Sequence, residues 1–209
     1  MIAFDLDGTL VDSVGDIATA LNGALADTGL APLPVEVVRS YVGNGARMLV
    51  TRALAGRPGD FEGAVDDVLA LFRTRYDQGL IEQTVAFEGI GAVLQELSQH
   101  ARIAVATNKP GAPARAIVQA LFPGLVDLVL GPDDVGALKP DPAMLRAVAL
   151  SLAGEVCVFV GDSGVDRQTA HDAGVPFVGV AWGLRPEELD GCALAHDARE
   201  LAVLVARYL

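Results

Sequence analysis

Hydrophobic residues follow two different patterns along the chain, and the change comes near residue 84. The chain begins with a short apolar run that ends in two acids, Asp5 and Asp7, as expected of a buried strand whose end reaches a polar site. The stretch that follows shows helical spacing only, as in Ile17, Leu21 and Leu25. It predicts helices over residues 16–27, 35–41, 48–54 and 65–76, with loops at 30–34 and 56–59.

Beyond residue 84, helical and strand patterns alternate. The predicted strands are 102–106, 126–130, 156–160 and 176–181. The predicted helices are 90–100, 113–122, 142–152 and 166–173, with a last helix from about residue 198. Such alternation is typical of an α/β fold with a doubly wound parallel sheet. The prediction is therefore a core domain of residues 1–13 and 84–209, with residues 14–83 inserted as an all-helical domain.

Composition and charge narrow the classes of protein that fit. The 209 residues are 52% hydrophobic, which allows a large buried core, and no apolar run approaches membrane-spanning length. The formal net charge of −12 argues against nucleic acid or an anionic membrane surface as a partner, since both require basic patches. The two cysteines, Cys157 and Cys192, do not resemble a disulfide framework or a CxxC zinc motif. We therefore expect a cytoplasmic protein, monomeric or homodimeric, that acts on a small molecule.

Polar side chains follow four of the predicted strands. They are Asp5 and Asp7 after the first strand, Thr107 and Asn108 after the second, Lys139 in the loop after the third, and Asp162 with Asp166 after the fourth. Because the carboxyl ends of parallel strands meet at one edge of a sheet, we expect these residues to share one crevice. Carboxylates would hold Mg²⁺, the lysine would offset phosphate charge, and hydroxyl and amide groups would bind phosphate oxygens. The sequence has no GxxxxGK[ST] loop, and Gly43-x-Gly45 does not follow a predicted strand, so neither common nucleotide-binding loop is present.

Four motifs, in order along the whole chain, resemble those of the haloacid dehalogenase superfamily of aspartate-nucleophile phosphatases, and most closely its phosphoglycolate phosphatase branch. They are residues 5–10 (DLDGTL), the strand end at Thr107, Lys139 before a proline, and residues 161–166 (GDSGVD). The resemblance implies a Rossmann-like core and makes the helical insert a cap domain. It also implies a Mg²⁺-dependent phosphomonoester hydrolase that forms an aspartyl-phosphate, with 2-phosphoglycolate or a similar small metabolite as substrate. Residues 164–165 depart from the pattern, since the family more often has a polar pair there.

The resemblance implies a role for each matching residue. Asp5 would attack phosphorus, and Asp7 would protonate the leaving group and then activate water. Asp5, the backbone carbonyl of Asp7 and Asp162 would hold Mg²⁺, with Asp166 as a further ligand or as an acceptor that fixes waters or Lys139. The other residues assigned to phosphate are Thr107 through its hydroxyl, Asn108 through its N–H, Gly8 by close backbone approach, and Thr9 as a brace of the loop.

Segment 42–47 of the insert resembles the cap segment of phosphoglycolate phosphatases. Its small residues Gly43, Asn44 and Gly45 would turn backbone N–H groups towards the active site, and Arg47 would pair with a substrate carboxylate. A glycine turn that starts the next helix, with Arg47 in solvent, explains the same residues. Both interpretations stay open from the sequence.

Simpler structural interpretations and other activities also stay open. Thr107 could cap a helix, and Asp166 could stabilise a helix N-terminus without any catalytic role. Lys109 is interpreted as a loop residue, and Asp12 and Ser13 as caps of the first inserted helix. The alternative functions are a pyrophosphatase, sugar-phosphate phosphatase or phosphomutase on the same scaffold, or a phospho-accepting interaction protein without enzymatic activity.

Overall fold

The computed structural model describes residues 1–55, 57 and 63–209. Within them the chain divides into two compact units, one of Met1–Asp12 with Ala86–Leu209 and one of Ser13–Val85. The predicted loop at 56–59 falls outside the described residues except for Arg57, which lies in a bend. The first unit carries the predicted strand ends, and the second carries the predicted helices of the insert.

The strands of the described chain can be numbered in sequence order. They are β1 (Ile2–Phe4), β2 (Val11–Asp12), β3 (Val85–Ala86), β4 (Ile103–Ala106), β5 (Leu128–Leu130), β6 (Val158–Gly161), β7 (Phe177–Val180) and β8 (Ala193–Ala195). One parallel sheet has the order β5–β4–β1–β6–β7–β8, while β2 and β3 form a separate two-stranded sheet. The chain therefore starts at the centre of the sheet, winds outward through β4 and β5, and then winds the other way from β6 to β8. This is the doubly wound order, and the predicted α/β fold class is confirmed.

The apolar runs of the sequence become the central strands because these are covered on both faces. β1, β4 and β6 are buried along their whole length, as continuous hydrophobic runs require. Phe4 pairs with Val105 on one side and Val160 on the other, which fixes the register of the three strands. The next residue, Asp5, donates its N–H to the Val160 carbonyl at 2.9 Å. The register thus delivers the ends of β1, β4 and β6 side by side at one edge of the sheet.

Helices cover the sheet in the first unit. They are α5 (Ile90–Leu97), α6 (Gly111–Leu121), α7 (Pro132–Val135), α8 (Ala143–Ser151), α9 (Gly164–Ala173) and α10 (Ala198–Ala206), with a 3₁₀ helix at Pro186–Leu189; these numbers leave α1 to α4 for the second unit. Ala3, Ala104 and Phe159 share a buried cluster with Met144 and Leu145 of α8. α10 packs against α5 and β8. Loops that follow the buried strands therefore emerge from a well-packed base.

Over its described residues, the second unit consists of helices joined by loops, and it ends at Val85, the first residue of β3. Its helices are α1 (Val14–Asp27), α2 (Val35–Tyr41), α3 (Ala46–Leu54) and α4 (Ala64–Gln78), which agree with the predicted helices to within two residues at each end. α1 packs mainly on α4, and Phe72 and Tyr76 of α4 stack with their ring centroids 5.5 Å apart. Ser13 precedes α1 as predicted, but in the described structure α1 shows no hydrogen bond from a side-chain cap. Burial of apolar faces, rather than capping, accounts for this unit.

Short elements were missed by the hydrophobic pattern. β2 and β3 have two residues each. β8 consists of Leu194 between two alanines, and alanine has low strand propensity. Such segments are too short for periodicity to identify, and they form because a neighbouring strand offers hydrogen bonds. Among the described residues, no helix has both the length and the apolar character needed to cross a membrane.

Candidate active site

The predicted strand-end residues meet at the carboxyl edge of the parallel sheet, all within the first unit. Asp5 and Asp7 follow β1, Thr107 follows β4, and Asp162 follows β6. Lys139 arrives in the loop between α7 and α8. These side chains are buried although every one of them is polar or charged. Burial of so many ionisable groups is unfavourable unless they neutralise one another or bind ions.

Lys139 joins two of the acids. Its Nζ lies 2.7 Å from Asp5 Oδ1 and 2.6 Å from Asp166 Oδ1, and it also sits over the Phe159 ring at 5.4 Å from the centroid. Burial alone would lower the pKa of Lys139, but the charges of Asp166 and Asp5 outweigh it and raise this pKa above its ordinary value. Lys139 is therefore a fixed, protonated cation beside Asp5.

Three acids form a cluster that suits a metal ion. Asp5, Asp162 and Asp166 each place one carboxylate oxygen within 4.8 Å of the others. Burial, with a contribution from Asp166, raises the pKa of Asp5 to about 6 against the opposing charge of Lys139. Burial and the charges of Asp166 and Asp5 also raise the pKa of Asp162 well above its ordinary value. Both carboxylates are buried beside another acid, and a divalent cation with oxygen ligands would stabilise their ionised forms.

The wider site has a charge imbalance. The buried carboxylates of Asp5, Asp7, Asp162 and Asp166 face the buried ammonium groups of Lys109 and Lys139. Ionised, this set carries two more negative than positive charges, and one divalent cation would balance it. The donor set is all oxygen, which suits Mg²⁺ and similar hard cations.

Glycines and a backbone N–H hold Asp162 in place. The Leu184 N–H donates to Asp162 Oδ2 at 2.6 Å. A Cβ added at Gly8 would collide with the Asp162 carboxylate, and one added at Gly183 would collide with the Asp162 Cβ. Gly8 also has a φ of +87°, which favours glycine. Gly8 therefore lies in close contact with the Asp162 carboxylate, and its role at phosphate stays a prediction.

Asp166 makes two kinds of contact, one with each carboxylate oxygen. Oδ1 accepts from Lys139, while Oδ2 accepts from the Ser163 hydroxyl at 2.6 Å and the Ser163 N–H at 3.2 Å. Ser163 is the N-cap of α9, and its hydroxyl and Asp166 form a capping box. Asp166 therefore caps the N-terminus of α9 and contacts Lys139 at the same time. Asp166 can make both contacts because it lies in the first turn of α9, within hydrogen-bond distance of Lys139.

Asp7 has a partner that sequence reasoning missed. Lys109 Nζ lies 2.8 Å from both Asp7 Oδ1 and Asp7 Oδ2, and the two side chains are only 4% and 11% exposed. Lys109 does lie in a loop, as predicted, but the prediction includes no ion pair for it. The available signal was a second lysine, directly after Thr107 and Asn108, at an edge crowded with acids.

The loop after β4 is tied to the loop that carries Lys139. The Asn108 side chain accepts from the Lys139 N–H at 2.8 Å and donates to the Lys139 carbonyl at 3.1 Å. The Thr107 hydroxyl accepts from the Lys109 N–H at 3.2 Å. The Thr9 hydroxyl is buried without a hydrogen-bond partner in the described structure, and the Thr9 carbonyl accepts from the Trp182 indole at 3.2 Å. Asn108 thus positions Lys139, and the Thr107 O–H keeps its proton available to a ligand.

The other predicted substrate residues lie in the second unit. Gly43 and Gly45 have φ values of +111° and +84°, and Gly45 directly precedes α3, so the segment is the turn that starts this helix. Asn44 lies between them. Arg47 forms an ion pair with Asp66 of α4, and both side chains are largely exposed. A substrate-binding role for these residues stays a prediction.

Comparisons with known proteins agree on one family. The model of the haloacid dehalogenase-like hydrolases matches residues 1–174. The chain is 40% identical to a phosphoglycolate phosphatase of Cereibacter sphaeroides over 217 aligned positions, covering 100% of this chain and 98% of that protein. It is 41% identical to a phosphoglycolate phosphatase of Rhodospirillum rubrum, covering 89% and 81%. A crystal structure described as a predicted phosphoglycolate phosphatase from Haemophilus somnus superposes with a TM-score of 0.86 at 28% identity, covering 98% and 97%.

Proposed function

The chain belongs to the haloacid dehalogenase-like hydrolases and is a phosphatase, and from this premise we propose that it hydrolyses 2-phosphoglycolate with Mg²⁺ through an aspartyl-phosphate at Asp5. The observation that carries the proposal is the buried constellation in which Lys139 contacts Asp5 while Asp162 and Asp166 complete an oxygen cluster around it. This set offers a nucleophile, a fixed cation and a cation site at one edge of a sheet. Phosphoryl transfer requires these three components in close proximity.

Asp5 is proposed as the nucleophile. The hydrogen bond from its N–H to the Val160 carbonyl fixes its backbone at the edge of the sheet, from which the side chain extends. A carboxylate that approaches a phosphate dianion meets charge repulsion, and Lys139 at 2.7 Å offsets part of it. A divalent cation held by Asp5, the Asp7 carbonyl and Asp162 would supply further positive charge at the transferring phosphoryl group.

Asp7 is proposed as the general acid and base. It lies two residues after the nucleophile and makes an ion pair with Lys109, whereas Asp5 contacts Lys139. The separate partners support separate roles for the two acids. Asp7 would give a proton to the departing oxygen of glycolate and later take one from the water that attacks the aspartyl-phosphate. The Thr107 hydroxyl and the Asn108 N–H would bind phosphate oxygens.

The choice of substrate rests on the relatives. Those described as phosphoglycolate phosphatases align over nearly the whole chain, the helical insert included. We retain residues 1–13 and 84–209 as the proposed catalytic core and residues 14–83 as the proposed cap. Recognition of substrate by Gly43, Asn44, Gly45 and Arg47, a cytoplasmic location, and a monomeric or homodimeric state also remain predictions.

Phosphate release tests the proposal. The purified protein is assayed with 2-phosphoglycolate, pyrophosphate and a sugar phosphate, after treatment with a chelator and after return of Mg²⁺. We expect turnover only with the metal and the highest kcat/KM with 2-phosphoglycolate. Asp5→Asn should be inactive, whereas Asp172→Asn, an exposed acid of α9, should retain wild-type activity. Equal turnover in the chelated protein would contradict the metal requirement, and preference for pyrophosphate or a sugar phosphate would contradict the substrate.

A further inference from the structure

Lys109 is a buried cation that the proposed chemistry does not use. Its side chain is 4% exposed, and both oxygens of Asp7 lie 2.8 Å from its Nζ. Lysine is almost never buried this far unless it is paired, so the contact with Asp7 is a substantial part of what keeps it there. The pairing is charge-assisted on both oxygens, which holds the carboxylate close to the ammonium group.

The backbone around Lys109 is anchored on both sides. Its own N–H donates to the Thr107 hydroxyl at 3.2 Å, and Asn108 is bonded through its side chain to the backbone of Lys139. On the other side, the Gly111 N–H donates to Asp133 Oδ1 at 2.7 Å at the start of α6. Lys109 therefore extends from an anchored backbone and is buried, unlike a flexible lysine at the surface.

The two lysines divide the acids into two groups. Lys139 contacts Asp5 and Asp166, which belong to the oxygen cluster with Asp162, while Lys109 contacts Asp7. A carboxylate two residues from the nucleophile would otherwise be attracted to Lys139 or to a cation in that cluster, because both are positive. Lys109 offers Asp7 a competing positive charge on its own side of the site.

We propose that Lys109 is a positioning residue. It holds the Asp7 carboxylate away from the oxygen cluster of Asp5, Asp162 and Asp166, and turned towards the leaving-group oxygen. The inference rests on the proposed function, in which Asp7 is the acid and base. Lys109 then acts through Asp7 and not through substrate. It keeps the Asp7 carboxylate for proton transfer while the carboxylates of Asp5 and Asp162 remain for the cation.

The test uses Lys109→Met, which removes the charge at similar volume, with Lys109→Arg as the charge-preserving variant. Arg115→Met is the matched control, because Arg115 is an exposed cation of the adjacent helix that pairs with Asp134. With 2-phosphoglycolate and Mg²⁺, Lys109→Met should lower kcat about 10- to 100-fold, the usual effect of losing a partner that orients a reacting group, and leave KM within about threefold. Lys109→Arg should recover part of the loss, and the control should match wild type.

A double-mutant cycle separates positioning from substrate binding. In an Asp7→Asn background, Lys109→Met should cause no further loss of kcat, since the group it orients is already disabled. An equal loss in that background, or a raised KM with unchanged kcat, would show that Lys109 contacts substrate and would overturn the proposal.

Crystal structures of wild type and Lys109→Met give a readout that does not depend on activity. We expect the Asp7 carboxylate to leave its wild-type orientation in the variant while the backbone of residues 107–111 stays in place. An Asp7 carboxylate that keeps its orientation would refute the positioning role whatever the turnover. A wild-type protein without metal-dependent turnover would refute the proposed function, and the two crystal structures would still decide the role of Lys109.

Discussion

Asp16 should be the acid on which the stability of the helical unit depends most. It lies in the first turn of α1 with 2% of its surface exposed. Its carboxylate accepts from the Gln83 N–H at 2.9 Å, from the Thr84 N–H at 2.8 Å and from the Thr84 hydroxyl at 2.6 Å. These bonds fasten the start of the unit to its end, 68 residues later in sequence.

The cost of removing this carboxylate follows from the donors it leaves behind. In Asp16→Ala the N–H and the hydroxyl of Thr84 lose a buried acceptor, and the Gln83 N–H loses a partly buried one. A buried donor without a partner costs about 1–3 kcal/mol, so the N–H groups of Thr84 and Gln83 together lower the free energy of unfolding by about 2–6 kcal/mol. The Thr84 hydroxyl can still donate to the Leu80 carbonyl at 3.4 Å. Asp16→Asn keeps one acceptor oxygen and should lose roughly half as much.

Urea unfolding followed by circular dichroism measures this effect, and hydrogen exchange of the α1 amides shows where it acts. Asp27→Ala is the matched control on the same helix, because Asp27 pairs with Arg75 at the exposed surface and should matter much less. A loss below about 1 kcal/mol in Asp16→Ala, or an equal loss in the control, would refute the reasoning that buried donors set the cost.

Three further predictions concern the active site. Asp7→Asn should lower kcat about 10²- to 10⁴-fold yet bind Mg²⁺ like wild type by calorimetry, since only the Asp7 backbone is assigned to the metal; weakened binding would contradict that assignment. Asp162→Asn should weaken Mg²⁺ binding itself, measured in the same way, because it replaces a carboxylate of the oxygen cluster; unchanged affinity would exclude Asp162 as a ligand. At a subsaturating Mg²⁺ concentration, the thermal shift caused by the metal should be smaller at pH 5.5 than at pH 7.5, because burial raises the pKa of Asp5 to about 6 and a proton there competes with the cation as the pH falls through that value; equal shifts at both pH values would contradict this competition.

The positions of the site residues were predictable because they depend on strand ends. A continuous apolar run such as 156–160 predicts a strand buried on both faces, and Asp162 follows it directly. In a parallel sheet, residues at such positions converge whatever the details of the loops. The convergence of Asp5, Asp162 and Asp166 therefore follows from the pattern of strands in the sequence.

The pairing of lysines with acids was not predictable in the same way. Lys109 and Lys139 both lie in loops, and which acid each one reaches depends on loop conformation, which hydrophobic periodicity does not describe. The two contacts of Asp166 could not be predicted from the pattern either, because its place in the sequence is compatible with a helix-capping acid and with a partner of lysine. The Asn108 side chain bonds the backbone of Lys139 and so ties the loop after β4 to the loop that carries Lys139. No pattern of hydrophobic residues indicates this contact.

The most direct test of the central claim is acid-quenched mass spectrometry of the protein during turnover of 2-phosphoglycolate with Mg²⁺. If Asp5 is the nucleophile, a phosphoryl group should appear on the peptide that contains Asp5. Once formed, it should persist longer in Asp7→Asn, where hydrolysis of the aspartyl-phosphate lacks its base. A protein that turns over substrate without any phosphoryl group on this peptide, or with one on another residue, would contradict the account.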